Sequence, residues 1–115
     1  MSLNVLIVDD NEAAADLLGE LLQLQDHHPR CAYTGQQALD AAASTDFDIA
    51  LVDLTLPDMP GTDVAQRLRP SGKDTPLLVA VSGHAPSDAS RAVFDHHLQK
   101  PIDFEALDRI LSQAA

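Results

Sequence analysis

One stretch constrains this chain more than any other: Ile49-Ala50-Leu51-Val52-Asp53-Leu54-Thr55-Leu56-Pro57-Asp58. Its first four residues are apolar without a break. A strand exposed on one face would alternate polar and apolar residues. An unbroken apolar run reads instead as a strand buried on both faces, as in a parallel sheet covered by helices. The run delivers one carboxylate, Asp53, at its end, and Pro57 and Pro60-Gly61 then break it. Open sheets of this kind bind ligands outside the carboxyl ends of their strands. Asp53 is therefore expected on a rigid floor facing solvent.

Two other runs end in similar chemistry. Val5-Leu6-Ile7-Val8 leads into Asp9-Asp10, and His97-Leu98-Gln99 leads into Lys100-Pro101. Residues 77–81 form a further apolar run that ends at Ser82-Gly83-His84. Between the runs lie helical patterns. Asn11 can cap the first helix, because its side chain can accept from free amides of the first turn. Glu12 and Asp16 sit early in that helix, where its dipole favours negative charge. Leu17, Leu18, Leu21, Leu22 and Leu24 supply its apolar stripe. Residues 26–30 contain Pro29 and read as a turn, leaving 30–33 as the second strand. Gly35 opens a second helix, with Ala38, Leu39 and Ala42 facing inward, and Ser44-Thr45-Asp46 ends it. Gly61 leads into a third helix bearing Val64, Ala65 and Leu68, which the segment 70–74 breaks. Residues 87–95 allow only a short fourth helix. Asp103 caps a fifth, with Phe104, Leu107, Ile110 and Leu111 on its apolar face. Five alternations of strand and helix with short links imply parallel strands, right-handed crossovers and helices on both faces.

The 115 residues, 1–115, make one domain, long enough for a single core. Aromatic residues are only 3% of the chain, so that core must be aliphatic. No apolar run approaches the roughly 20 residues of a membrane helix. No basic-then-apolar leader opens the chain, which points to the cytoplasm. Cys31 is the single cysteine, so no internal disulfide is possible, and it reads as a small packing residue. The net charge of -11 argues against nucleic acid and anionic membrane as partners.

Asp9, Asp10 and Asp53 come from strand ends that should be neighbours. A helix cap accounts for Asn11 but not for two adjacent acids facing a third. Like charges about 4 Å apart repel by roughly 4 kcal/mol at an intermediate dielectric. A divalent cation removes that cost. Oxygen donors without cysteine or paired histidine select a hard ion, Mg²⁺ or Mn²⁺. A carboxylate beside such an ion can attack phosphorus and form an aspartyl phosphate. Lys100 is either a solvated surface amine or a cation that pairs with Asp53 at rest and with a phosphoryl oxygen afterwards. Ser82 is either a turn residue or a hydroxyl within reach of the site.

Taken together, Leu6-Ile7-Val8-Asp9-Asp10, Asp53 with Leu56-Pro57-Asp58-Met59-Pro60-Gly61, Ser82-Gly83 and Lys100-Pro101 resemble a receiver domain of two-component response regulators over essentially the whole chain. The run from Phe94 through Asp103 resembles receivers attached to hybrid sensor histidine kinases. The resemblance implies a flavodoxin-like fold, strand order 2-1-3-4-5. It implies a phosphorelay switch and not an enzyme acting on a separate substrate. Asp53 would be the phosphoacceptor, supplied by a phosphohistidine on a sensor kinase or phosphotransfer domain. Asp10, Asp53 and the Thr55 carbonyl would hold Mg²⁺, with Asp9 helping through water. Lys100, the Ser82 hydroxyl and the Gly83 amide would contact the phosphoryl group, and the Lys100-Pro101 peptide would be cis. Thr55 and His84 would tune hydrolysis. The output surface would be the face of the fourth helix, fifth strand and fifth helix, binding a downstream protein or a second copy. With no output domain in view, the chain would be a stand-alone receiver or part of a larger protein.

Two departures from the family pattern stand out. His97 occupies the position where the family carries a rotating Tyr or Phe, so its titration could add pH sensitivity. A histidine half-exposed on an edge strand is the plainer alternative. The segment 82–94 is short, with Val93 where glycine is common, so the fourth helix should be abbreviated. The pair His96-His97 is a poor metal site, since neighbours on a strand point to opposite faces. Competing functions are an aspartate-nucleophile phosphatase, a flavin-binding module and a degenerate receiver that binds partners without phosphorylation. The first wants an Asp-x-Asp after strand one. The second wants a hydroxyl- and glycine-rich loop there. The third conflicts with the intact set Asp9, Asp10, Asp53, Ser82 and Lys100.

Overall fold

A computed structural model describes residues 2–69 and 76–114. The elements are β1 (Asn4–Val8), α1 (Glu12–Leu24), β2 (His28–Ala32), α2 (Gly35–Ser44), β3 (Ile49–Asp53), α3 (Gly61–Leu68), β4 (Leu77–Ser82), α4 (Asp88–Val93), β5 (His96–Gln99) and α5 (Phe104–Ala114). The strands form one sheet in the order β2-β1-β3-β4-β5, and every pairing is parallel. This is the order the resemblance implied. No helix among the described residues is long and apolar enough to cross a membrane.

The uninterrupted apolar strands are explained by two cores, one on each face. Val5, Ile7, Ile49, Leu51, Val79, Val81 and Leu98 face α1 and α5, meeting Leu18, Leu22, Leu107, Ile110 and Leu111. The alternate residues Leu6, Val8, Ala50, Val52, Leu78 and Ala80 face α2 and α3, meeting Ala38, Ala41, Val64, Ala65 and Leu68. Successive strand residues point to opposite faces, so a strand covered twice has no polar position to spare. All five residues of β3 are buried. Each large aliphatic side chain fully buried this way contributes about 1.5–3 kcal/mol.

Three expectations need correction. The turn before the second strand is shorter than 26–30. Asp26 makes it with a φ of 68°, and β2 begins at His28 and includes Pro29. Pro29 is tolerated because β2 is an edge strand, where one side of the backbone needs no ladder partner. In α1, Leu17 and Leu24 are 57% and 81% exposed, while Ala15, Leu18, Gly19 and Leu22 are buried. At about 100° per residue, Leu17 and Leu24 lie roughly a quarter-turn or more from Leu18, off the inward stripe. In α2 the inward reading holds: Ala38 is buried and Leu39 and Ala42 are half-buried against the same core, with Ala41 joining them. Phe104 is 50% exposed because it opens α5 at the rim of the sheet, ahead of Leu107. The segment 70–74, expected to break the third helix, lies outside the described residues; α3 ends at Leu68 with Arg69 as its C-cap.

Other local readings hold. Asn11 caps α1 by accepting from the Ala14 amide at 3.1 Å. The fourth helix is short, six residues from Asp88, opened by a reciprocal Ser87–Ser90 cap. Asp103 sits before α5 and accepts from the Glu105 amide at 3.0 Å. Cys31 is half-buried, with its Sγ 3.4 Å from the Ala15 carbonyl oxygen. Burial first, and then the Asp16 charge, pushes its thiol pKa up, which suits packing and not reactivity.

Gly61 carries the close approach on which the β3–α3 connection depends. A Cβ added there would collide with the Asp53 carbonyl oxygen and come within 2.8 Å of the Leu54 Cα. Both obstacles are backbone, so neither can swing aside. A Cβ at Gly83 would meet nothing within 4 Å. Urea denaturation should therefore show Gly61→Ala costing about 1–3 kcal/mol, while Gly83→Ala stays within about 0.5 kcal/mol of wild type. Equal costs at the two positions would contradict this account.

Candidate functional site

The parallel register brings four strand ends to one level. Val8 pairs with Val52, Asp53 with Val81, and Ser82 with Gln99. Asp9, Asp53, Ser82 and Lys100 therefore emerge side by side along the carboxyl rim. Asp9 and Asp53 are 8% and 7% exposed, and Asp10 is open to solvent. One carboxylate oxygen from each of Asp9, Asp10 and Asp53 lies within 4.8 Å of the others. The Lys100 Nζ stands between two of the acids. It donates to Asp53 Oδ2 at 3.1 Å and to Asp9 Oδ2 at 3.3 Å.

The remaining carboxylate oxygens are held by backbone. The Thr55 amide donates to Asp53 Oδ1 at 2.9 Å, and the Asn11 amide donates to Asp9 Oδ1 at 2.9 Å. The Lys100 amide donates to the Ser82 carbonyl at 2.7 Å, joining the ends of β4 and β5. The Lys100-Pro101 peptide is cis. The sequence thus named the acids and the lysine correctly as neighbours. Ser82 is on the same rim, but its Oγ accepts from the His84 amide at 3.1 Å within its own turn. Thr55 meets the site through its amide, as above.

Charge is crowded here. Burial pushes the Asp53 carboxyl above its ordinary pKa, and the Asp9 charge pushes the same way. The Thr55 amide and Lys100 oppose that rise without cancelling it. For Lys100, burial works downward, but bonds and charge from Asp53 and Asp9 raise its pKa overall. Removing negative charge from this rim, or adding positive charge, therefore relieves it. Three carboxylates with oxygen donors only suit a hard divalent ion in size and chemistry.

Two features escaped the sequence reading. Asp58 reaches across to the start of α2 and accepts from the Gly35 and Gln36 amides at 2.8 and 2.9 Å. Those two bonds hold its carboxyl below the usual carboxylate range. Nothing in the linear pattern pairs position 58 with 35. The second is a cavity of about 140 Å³ lined by Leu54, Ala80, Ser82, His84, Pro86 and His97. His97 is half-buried, and its Nε2 is buried with no hydrogen-bond partner. Its ring meets Phe94 edge-on, with centroids 6.1 Å apart. A wider, open depression of about 670 Å³ at the far end of the sheet, beside His27 and His28, holds none of these groups.

Comparison with known proteins agrees with this arrangement. The family model of the response regulator receiver domain matches residues 5–112. The sensor histidine kinase AtsR of Burkholderia thailandensis is 33% identical over 96% of this chain, and the chain spans 19% of that protein's length. A CheY-like response regulator receiver domain from Methylobacillus flagellatus superposes with a TM-score of 0.91 at 33% identity, covering 100% of both chains. The response regulator TrrA of Thermotoga maritima, solved in complex with Mg²⁺-BeF, superposes with a TM-score of 0.87 at 26% identity, covering 97% of this chain and 98% of that one. With its sheet order, its acid-lined rim and these relatives in agreement, the chain belongs to the response regulator receiver domain family of two-component systems.

Proposed function

We propose that Asp53 is the phosphoacceptor of a phosphorylation-controlled switch and that residues 1–115 act as one receiver unit. The observation that carries this is the Asp53 carboxylate, nearly buried, with two other acids within 4.8 Å and the Lys100 amine 3.1 Å away. The donor is a phosphohistidine on a sensor kinase or phosphotransfer domain. An Asp53 oxygen bonds to phosphorus as the P–N bond to the donor imidazole breaks, and that nitrogen leaves with the electron pair. Asp9, Asp10, Asp53 and the Thr55 carbonyl would hold Mg²⁺, with Mn²⁺ a chemically equivalent substitute. When bound, the ion neutralises charge on the transferring oxygens.

The chain's own groups do the rest. Thr55 fixes one Asp53 oxygen through its amide, which leaves the other for Lys100 at rest. After transfer Lys100 turns to a phosphoryl oxygen. The Ser82 hydroxyl leaves the His84 amide and donates to another, with the Gly83 amide beside it. Phosphorylation then shifts an existing equilibrium between two conformations, read out on the face of α4, β5 and α5 by a downstream protein or a second copy. The chain acts on its own aspartate, so labelling and hydrolysis of Asp53 are the whole of its chemistry. Its setting is the cytoplasm, where kinase domains supply phosphohistidine. A phosphorylation-independent binding module gains no support over this reading.

His97 makes the fold sensitive to acid. Burial, and then the Arg91 charge, pushes its pKa below the ordinary histidine value, with His96 adding to the effect; a backbone bond at Ser90 opposes it. A histidine depressed in the fold binds its proton more readily when unfolded. Its neutral form therefore favours the fold above the unfolded pKa of about 6.5. That advantage is lost as pH falls below it.

Two outcomes are expected. Acetyl phosphate with Mg²⁺ should add one phosphoryl group to the wild-type chain, seen by intact mass spectrometry, and chelation by EDTA should prevent it. Asp53→Asn should take none; equal labelling of wild type and variant would refute the assignment. Urea denaturation at pH 7.5 and 5.5 should show wild type losing more stability than His97→Phe. Asp58 and Asp95, both held below the ordinary carboxylate range, keep their contributions until lower pH. Identical losses in the two proteins would remove His97 as an acid-sensitive group.

A further inference from the structure

The connection between β3 and α3 is clamped at two places. At its base, the Gly61 amide donates to the Leu54 carbonyl at 3.0 Å, and Thr55 bridges Pro60 in antiparallel fashion. Gly61 also lies against the Asp53 carbonyl with no room for a side chain. At its tip, each oxygen of the Asp58 carboxylate takes one amide of α2, Gly35 at 2.8 Å and Gln36 at 2.9 Å. Met59 closes the same contact: a Cβ at Gly35 would come within 2.5 Å of its Cγ.

These bonds are not needed to start α2. Thr34 already caps that helix by accepting from the Gln37 amide at 3.1 Å. Asp58 adds the two amides that Thr34 leaves free, and it comes from 22 and 23 residues away in the chain. What the extra bonds do is tie the tip of the loop to a fixed element. Thr55 belongs to the base of this loop, three residues before the tip. Its amide holds Asp53 Oδ1 at 2.9 Å, and its carbonyl is a proposed cation ligand. If the tip is released, the base clamp alone is left to hold Thr55 in place.

We infer that Asp58 is a positioning residue for the cation site, acting through the loop: its two bonds to the start of α2 hold Thr55, and with it the Asp53 carboxylate, in the geometry that a hard divalent ion requires. The inference rests on the proposed Mg²⁺ site at Asp9, Asp10, Asp53 and Thr55. Asp58 touches neither the phosphoryl group nor the ion. Magnesium demands near-ideal octahedral geometry, so it is sensitive to small misplacement of one ligand.

The test is a calorimetric Mg²⁺ titration of the full chain, with amide hydrogen exchange measured on the metal-free protein. Asp58→Ala should weaken Mg²⁺ binding by about tenfold, the low end of what removing a residue behind a metal ligand costs, since Asp58 itself is exposed. In the same variant, exchange at the Thr55 amide should speed up without any metal present. Asp58→Asn keeps one acceptor oxygen and should recover part of the affinity. Thr34→Ala loosens the start of α2 to a similar degree but leaves the loop tip bonded, and its affinity should stay within twofold of wild type. An Asp58→Ala affinity within twofold of wild type would overturn the inference alone. So would an equal loss in Thr34→Ala, which would reduce the effect to fraying of the helix. Failure of the wild-type chain to bind Mg²⁺ at all would overturn the functional reading, and this inference with it.

Discussion

Three carboxylates repel one another at the rim of this sheet, and the fold keeps them there. Nothing about burying Asp9 and Asp53 is favourable by itself. They remain because the strands that carry them are locked on both faces, and because a single amine, Lys100, is brought to within 3.3 Å of both. The upward shift of the Asp53 pKa, despite that amine, measures how incomplete the compensation is. A site left short of positive charge is one that a divalent cation stabilises.

The rigidity behind this comes from strands with no polar face. β3 has five buried residues, and both of its neighbours, β1 and β4, are nearly as apolar. A one-residue slip of β3 would exchange its two faces, and the two cores differ in shape. One takes Leu and Ile from α1 and α5, and the other takes mostly Ala and Val from α2 and α3. Register is therefore specified, and with it the depth at which Asp53 emerges beside Asp9 and Ser82.

That logic explains what the sequence made legible. Parallel strands, the acid cluster, the lysine opposite it and the short fourth helix follow from runs of apolar residues and the polar groups that end them, whereas the strand order came with the family resemblance. Leu17, Leu24 and Phe104 were misplaced for a different reason. Hydrophobicity marks a residue that can be buried, but only the helix's position over the sheet determines whether a surface is there to bury it. Pro29 read as a turn because proline is rare in strands, and only the edge position of β2 makes it harmless. The Asp58 link was invisible, since a bond between residues 58 and 35 depends on where two loops meet in space. The unpartnered His97 nitrogen was equally hidden. The sequence marked the position as unusual, but burial of one ring atom is a property of the packed molecule.

The two ends of β4 and β5 suggest how the site communicates. The Lys100 amide holds the Ser82 carbonyl at 2.7 Å, and both residues also carry the side chains that would meet the phosphoryl group. A change at Ser82 is therefore felt at Lys100 through backbone, without passing through the core. A cavity of about 140 Å³ lies between Ser82 and His97. His97 lines that cavity and packs on Phe94, which follows the last residue of α4. α4 is only six residues long, anchored by a Ser87–Ser90 cap at one end and buried Phe94 at the other, so the Phe94 contact ties the His97 ring to the end of that helix. A short helix has few contacts to break, so opening α4 costs less than opening the longer helices of the fold.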